Sequence, residues 1–184
     1  MALGDATGHG AKAGIMVATM KSIFTAGSFD SDLAEFLHKS AHILKQMNLG
    51  NLYMAMTLLQ LKADRVRIAS AGMPPVLLHR AARNEVEEFV MKTMPLGALT
   101  AAAYQQRDIA IAPGDTILMM TDGYAELFNE QEEMLDYPNV IANFKQVANQ
   151  PPADIIAHLL ACGKKWQQGR VPHDDITFVV LRIK

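Results

Sequence analysis

The sequence predicts an α+β domain, and three observations carry that expectation. Two stretches of helical period open the chain, a run of short strands separated by Pro, Gly and Asp turns follows, and two more helical stretches precede one closing strand. Helices and strands grouped in runs, rather than strictly alternating, belong to α+β architecture. At 184 residues, half of them hydrophobic and 20% charged, the chain is long enough for a real core and is expected to form one domain, residues 1–184.

The elements follow in order. Met1 to Leu3 make an apolar lead that is too short for a full strand. Gly4-Asp5-Ala6-Thr7-Gly8-His9-Gly10 is a glycine-rich turn that carries a carboxylate and an imidazole straight into a helix. Its glycines permit positive φ and close approach to a ligand, and a helix N-terminus aims unpaired N–H groups at an anion. Ala13, Met16, Met20, Ile23 and Phe24 recur at helical spacing, with Gly27 as the C-cap. Asp32 and Glu35 have capping-box spacing ahead of a second helix built on Leu33, Phe36, Leu37, Ala41, Leu44 and Met47 and ended near Gly50.

From residue 52 the period changes. Residues 52–61 are apolar on both faces, as in a strand covered on both sides. Ala63-Asp64 turns the chain, and 65–71 alternates Arg65 and Arg67 with Val66 and Ile68, a half-buried antiparallel partner. Gly72-Met73-Pro74-Pro75 breaks it, and strands at 76–79 and 86–90 flank a turn at 81–84, so the first half reads as two helices and a meander. A strand at 104–111 closes on Pro113-Gly114-Asp115, and the apolar strand 116–120 delivers Thr121-Asp122-Gly123. Residues 126–137 are acidic and read as a solvated, irregular loop. Val140, Ile141, Phe144 and Val147 mark a third helix, and Ile155, Ile156, Leu159 and Leu160 a fourth after Pro151-Pro152. Asp174-Asp175 opens a last strand over 176–183.

Composition narrows the partners. A formal net charge of −2 with no Lys/Arg cluster argues against nucleic acid. Cys162 is the single cysteine, which excludes an intrachain disulfide and fits a reducing compartment. The absence of a signal-peptide pattern and of a long apolar run predicts no direct membrane insertion. We expect a cytoplasmic location, alone or as the cytosolic part of a larger sensor protein.

Three acidic sites share one setting: Asp5 follows an apolar lead, Asp122 follows a strand, and Asp174-Asp175 precedes one. Each alone reads more readily as a solvated turn. If neighbouring strands bring them to one end, their repulsion calls for hard divalent cations, with all-oxygen ligation favouring magnesium, manganese or calcium over zinc. Two such ions could hold a hydroxide for in-line attack on phosphorus, with an imidazole protonating the departing alkoxide.

These residues carry a resemblance. Gly4-Asp5-Ala6-Thr7-Gly8-His9-Gly10, the 114–126 run Gly-Asp-Thr-Ile-Leu-Met-Met-Thr-Asp-Gly-Tyr-Ala-Glu, and the 174–182 run Asp-Asp-Ile-Thr-Phe-Val-Val-Leu-Arg resemble motifs of the bacterial metal-dependent type 2C Ser/Thr protein phosphatases (PPM family). The likeness is closest to the sporulation stage II and stress-response branch, which acts on anti-sigma factor antagonists. Ala71-Gly72-Met73-Pro74-Pro75 and Met94-Pro95-Leu96-Gly97 match in place and order. The resemblance implies two packed antiparallel sheets flanked by helices and a site holding two Mn2+ or Mg2+ ions. In it Asp5 bridges the metals, Ala6 offers its carbonyl, Asp122 and Asp174 complete the main set, and Asp175 stands close by. His9 acts as the acid, and the substrate is a phosphorylated regulatory protein.

Two departures qualify the match. An earlier family strand with a further metal-linked Asp has no counterpart here, so we expect an N-terminally incomplete domain with weakened metal binding and pairing with another chain, as in a homodimer. Met73 stands where His is usual in this branch and is expected to be a buried structural residue. These departures leave a rival reading, a catalytically impaired phosphatase-like module that binds partner proteins.

Overall fold

A computed structural model of the chain describes residues 1–27, 32–99 and 102–184. Two antiparallel four-stranded sheets and, among the described residues, four α-helices are divided between two compact units. Met1–Met73 and Met91–Ala110 form the first; Pro74–Val90 and Ile111–Lys184 form the second.

In the first unit β1 (Ala2–Ala6) pairs antiparallel with β2 (Met54–Lys62), from Ala2 opposite Leu58 to Ala6 opposite Met54. The lead expected to be too short for a strand therefore belongs to one. β2 supplies the ladder that a three-residue apolar run lacks by itself, and the Met1 ammonium donates to the Leu59 carbonyl at 2.9 Å. Helices α1 (Ala11–Ala26) and α2 (Leu33–Gln46) bury Met16, Met20, Leu37, Ala41 and Leu44 in one cluster with Met54, Met56 and Leu58 of β2. The periodic residues read from the sequence are thus the packing faces. The Gly27 N–H closes α1 on the Ile23 carbonyl at a φ of −71°, without a left-handed turn.

The Asp32 carboxylate caps α2, accepting from Ala34 N at 2.8 Å and Glu35 N at 3.2 Å. Asp32→Ala is expected to lower stability by about 1 kcal/mol, and Asp32→Ser to lose far less, in urea titrations.

β3 (Arg65–Ala71) pairs with β2 on one side and β6 (Gln106–Ala110) on the other. Its burial exceeds the half-buried expectation, because Ala69, Ser70 and Ala71 are all withdrawn from water beyond the alternating start. The Thr57 and Ser70 hydroxyls, buried and directly opposed, satisfy each other at 3.0 Å.

The expected meander does not form. After β3 the chain passes into the second unit, where β4 (Val76–Arg80) pairs with β5 (Glu85–Phe89), and β6 takes the place beside β3. The cause is local: Gly72 has φ +72°, and Pro74 and Pro75 lack the N–H that a continuing ladder needs. A Cβ on Gly72 would lie 2.6 Å from Pro95 Cγ, and Leu96 exchanges backbone hydrogen bonds with Met54 at 3.1 and 2.8 Å. The Ala-Gly-Met-Pro-Pro and Met-Pro-Leu-Gly stretches are therefore packing devices, with Met73 buried as expected.

The second unit has strand order β5-β4-β7-β8, with β7 (Thr116–Met120) buried along its whole length and β8 (Phe178–Arg182) beside it. Helices α3 (Asp136–Val147) and α4 (Pro152–Gln167) supply Val140, Phe144, Ile155 and Leu159 to a core shared with Leu118 and Met120. The Asp115 carboxylate accepts from Ala81 N, Ala112 N and Arg80, so the acid of the Pro-Gly-Asp turn is structural.

Residues 126–135 form the irregular, solvated loop their charge predicts, with its acidic side chains exposed, but it is pinned at several points and α3 already begins at Asp136. Phe128 and Met134 form a β-bridge, Leu127 and Leu135 are buried, and the Asn129 side chain accepts from Gln131 N and Glu133 N. Arg170 donates to the Asn129 carbonyl and to Glu132. The acidic count hid apolar residues at the two positions that anchor the excursion.

Candidate metal centre

β7 ends at Met120, Thr121 continues extended, and the chain then tightens into one 3₁₀ turn over Asp122–Tyr124. Tyr124 anchors that turn: it is fully buried, its hydroxyl donates to the Leu159 carbonyl at 2.7 Å, and its ring meets Phe178 edge-on at 4.9 Å. Burial drives its phenol far above the ordinary value. The Glu126 N–H donates to the Asp122 carbonyl at 3.0 Å, which brings that glutamate back over the turn.

The other acidic pair arrives from the loop before β8. That strand begins at Phe178 rather than Ile176, because 174–177 serve as a connection to Thr121. Thr121 N donates to the Thr177 carbonyl at 3.1 Å, Thr177 N donates to Thr121 Oγ1 at 2.9 Å, and Thr121 Oγ1 donates to the Asp175 carbonyl at 2.9 Å. Gly123 allows the approach: a Cβ there would stand 2.5 Å from the Asp175 carbonyl oxygen and 3.2 Å from the Asp174 carbonyl carbon.

Asp122 and Asp174, 52 positions apart in sequence by their numbers, consequently offer carboxylate oxygens within 4.8 Å of each other. Asp122 is half-buried, and its Oδ1 is buried without a hydrogen-bond partner. Asp174 is exposed and accepts from Asp175 N at 2.7 Å. Asp175 is exposed too, and the contact it makes with Thr121 runs through its main chain. Burial, then the negative charges of Asp122 and Asp174, push the Glu126 carboxyl above its ordinary value. Burial and the charges of Asp122, Glu126 and Asp136 do the same to the Tyr137 phenol.

A buried carboxylate oxygen without a donor is costly unless a cation satisfies it. The donor set here is all oxygen, negatively charged and in mutual repulsion, which fits a hard divalent cation and not a thiolate- or imidazole-seeking metal. The residues present fit such an ion.

In the first unit Asp5 lies in β1 opposite Ala55 and is half-buried, with Ala6 next to it opposite Met54. Gly8 and Gly10 take φ of +82° and +79°, and Gly10 is the N-cap of α1. The exposed His9 stands between them. Thr121, Gly123 and Glu126, which the sequence pattern left without a role, stand in contact with this acidic cluster or its connecting loop. A hydroxyl directly before a strand-end Asp was the available signal for the first, whereas Glu126 was absorbed into the acidic run.

Comparison with protein families matches residues 1–184 to Stage II sporulation protein E (SpoIIE). The chain belongs to the SpoIIE family. Its members are PP2C-type serine/threonine phosphatase domains, a class of metal-dependent phosphoprotein phosphatases, and this chain is one of them. Comparison with curated proteins gives no match.

Among solved structures, the SiaA-PP2C domain of Pseudomonas aeruginosa is 21% identical with a TM-score of 0.84, covering all of this chain and 75% of that one. A Mycobacterium tuberculosis structure of RsbU and RsbW domains is 23% identical, TM-score 0.74, covering 98% of this chain and 50% of that one. The PP2C phosphatase domain of SpoIIE from Bacillus subtilis, solved with a fragment of its regulatory domain, is 20% identical, TM-score 0.73, covering 99% and 53%. These likenesses establish the PP2C fold.

Proposed function

We propose that residues 1–184 act as one phosphoserine/phosphothreonine phosphatase domain that holds two Mn2+ or Mg2+ ions through Asp5, Asp122 and Asp174, with the Ala6 carbonyl and Asp175 as further ligands. The observation that carries this reading is the close approach of the Asp122 and Asp174 carboxylates, which offer oxygens within 4.8 Å of each other, with Asp122 Oδ1 buried and unpartnered. When bound, such cations neutralise the phosphate and make water nucleophilic at neutral pH.

In the hydrolysis the water oxygen bonds to phosphorus, the bond from phosphorus to the Ser or Thr oxygen breaks, and that oxygen takes a proton. We assign the proton to His9, an imidazole exposed on the turn into α1. The Asp122 and Asp174 carboxylates offer oxygens to the cations from within 4.8 Å of each other.

Family membership supports a phosphorylated regulatory protein of the anti-sigma factor antagonist type as substrate. The single cysteine supports action in a reducing, cytoplasmic compartment, and we propose pairing with a second copy as a homodimer. Among the described residues no helix is long and apolar enough to cross a membrane. The test is phosphate release from such a phosphoprotein: turnover is expected with Mn2+ or Mg2+, lost on chelation and restored by the ion. Metal-independent turnover, or none under any ion, overturns the reading; tight Mn2+ binding without turnover supports the protein-binding module instead.

A further inference from the structure

We propose that Thr121 is a positioning residue for the cation site, its hydroxyl setting the separation between the Asp122 and Asp174 carboxylates and hence the affinity for a divalent ion. The inference rests on the metal-dependent reading above and adds to it a residue that touches neither ion nor substrate.

A hydroxyl has one proton to donate and lone pairs to accept with. Thr121 uses both: Oγ1 donates to the Asp175 carbonyl and accepts from Thr177 N, each at 2.9 Å, so one oxygen grips the connecting loop at two points. The backbone bond from Thr121 N to the Thr177 carbonyl already continues the β7–β8 pairing, so the strands could meet without the side chain. What the hydroxyl adds is control of 174–177 beyond the last ladder pair. Thr121 is covalently joined to Asp122 and holds the residue next to Asp174, which makes it the short path between the two carboxylates. It is 3% exposed, so water does not compete for these bonds. Gly123 leaves the space into which the loop is drawn.

The experiment is calorimetric Mn2+ titration of the intact chain as wild type, Thr121→Val, Thr121→Ser and Asp122→Asn, with circular dichroism and thermal melts in EDTA. Thr121→Val keeps the shape and the backbone bond but strips the hydroxyl. It is expected to stay folded and to bind Mn2+ about tenfold or more weakly, as when groups orienting metal ligands are lost. Thr121→Ser keeps the hydroxyl and is expected to keep wild-type affinity. A merely structural Thr121 would lower the EDTA melting temperature of the valine variant and leave its Mn2+ affinity unchanged, and that result overturns the proposal. If the valine variant does not fold, the serine variant decides: retained affinity agrees with the hydroxyl's role, and lost affinity overturns it. Wild type that binds no Mn2+, or Asp122→Asn that binds as wild type does, overturns the metal reading itself. Normal wild-type binding matched by Thr121→Val overturns the positioning role alone.

Discussion

Asp122→Asn is expected to make the cation-free protein more stable while removing cation binding and phosphatase activity. In the folded chain the Asp122 carboxylate sits among like charges, beside Asp174 and Glu126, with one oxygen buried and unpartnered. Asparagine keeps the shape and deletes the charge, so both desolvation and repulsion fall. The wild type recovers that cost from the ion: at about a hundred times Kd a bound cation adds roughly 2.7 kcal/mol by mass action. Thermal melts should therefore cross, with the variant above wild type in EDTA and below it in Mn2+. The reverse order in EDTA would show that Asp122 is not held against its electrostatic preference. Glu126 supplies a pH test of the same cluster. Its carboxyl lies above the ordinary value of 4.5, from burial first and then Asp122 and Asp174, so the folded state binds that proton more tightly than the unfolded one. Cation-free wild type should then gain stability as pH falls from the raised value toward 4.5, and the gain should shrink in Asp122→Asn.

Gly123→Ala is expected to cost about 1–3 kcal/mol, the range for forcing extra volume into a packed site, and to weaken Mn2+ binding with it. The added Cβ would meet main-chain atoms of Asp174 and Asp175, the nearest at 2.5 Å, and no side-chain rotamer relieves that contact. The turn cannot give way easily, because Tyr124 is hydrogen-bonded to Leu159 and packed on Phe178. The loop must move instead, against the two Thr121 hydroxyl bonds. Urea titration reads the stability loss and Mn2+ calorimetry the displaced Asp174. A variant of unchanged stability and affinity would mean that the 174–177 connection is not tightly seated.

The local elements were legible because their signals are local. The stripes of Met16 and Met20 and of Leu37, Ala41 and Leu44 identify helix faces that the structure buries, and Asp32 caps where its spacing predicts. The 65–71 strand has the expected bounds, and a short-range turn at Ala63-Asp64 precedes it. Reasoning failed where an outcome depends on a distant partner. The brief apolar lead becomes β1 only because β2 pairs with it, and β4 leaves the meander because two prolines cannot extend the ladder beside β3. The acidic excursion after Glu126 is the expected solvated loop, but its bonds to Arg170 join residues that no local pattern connects.

The amino-acid order alone determined the chemistry on offer: which positions carry carboxylates, and that a glycine follows Asp122. Only the tertiary structure decided that Asp122 and Asp174 share one locus, that Asp122 Oδ1 is left without a donor, and that the Thr121 hydroxyl clamps the intervening loop. The physical reason is range. Period and turn preference act over a few residues, whereas the field at a carboxylate is set by whatever chain folding brings within a few ångströms of it.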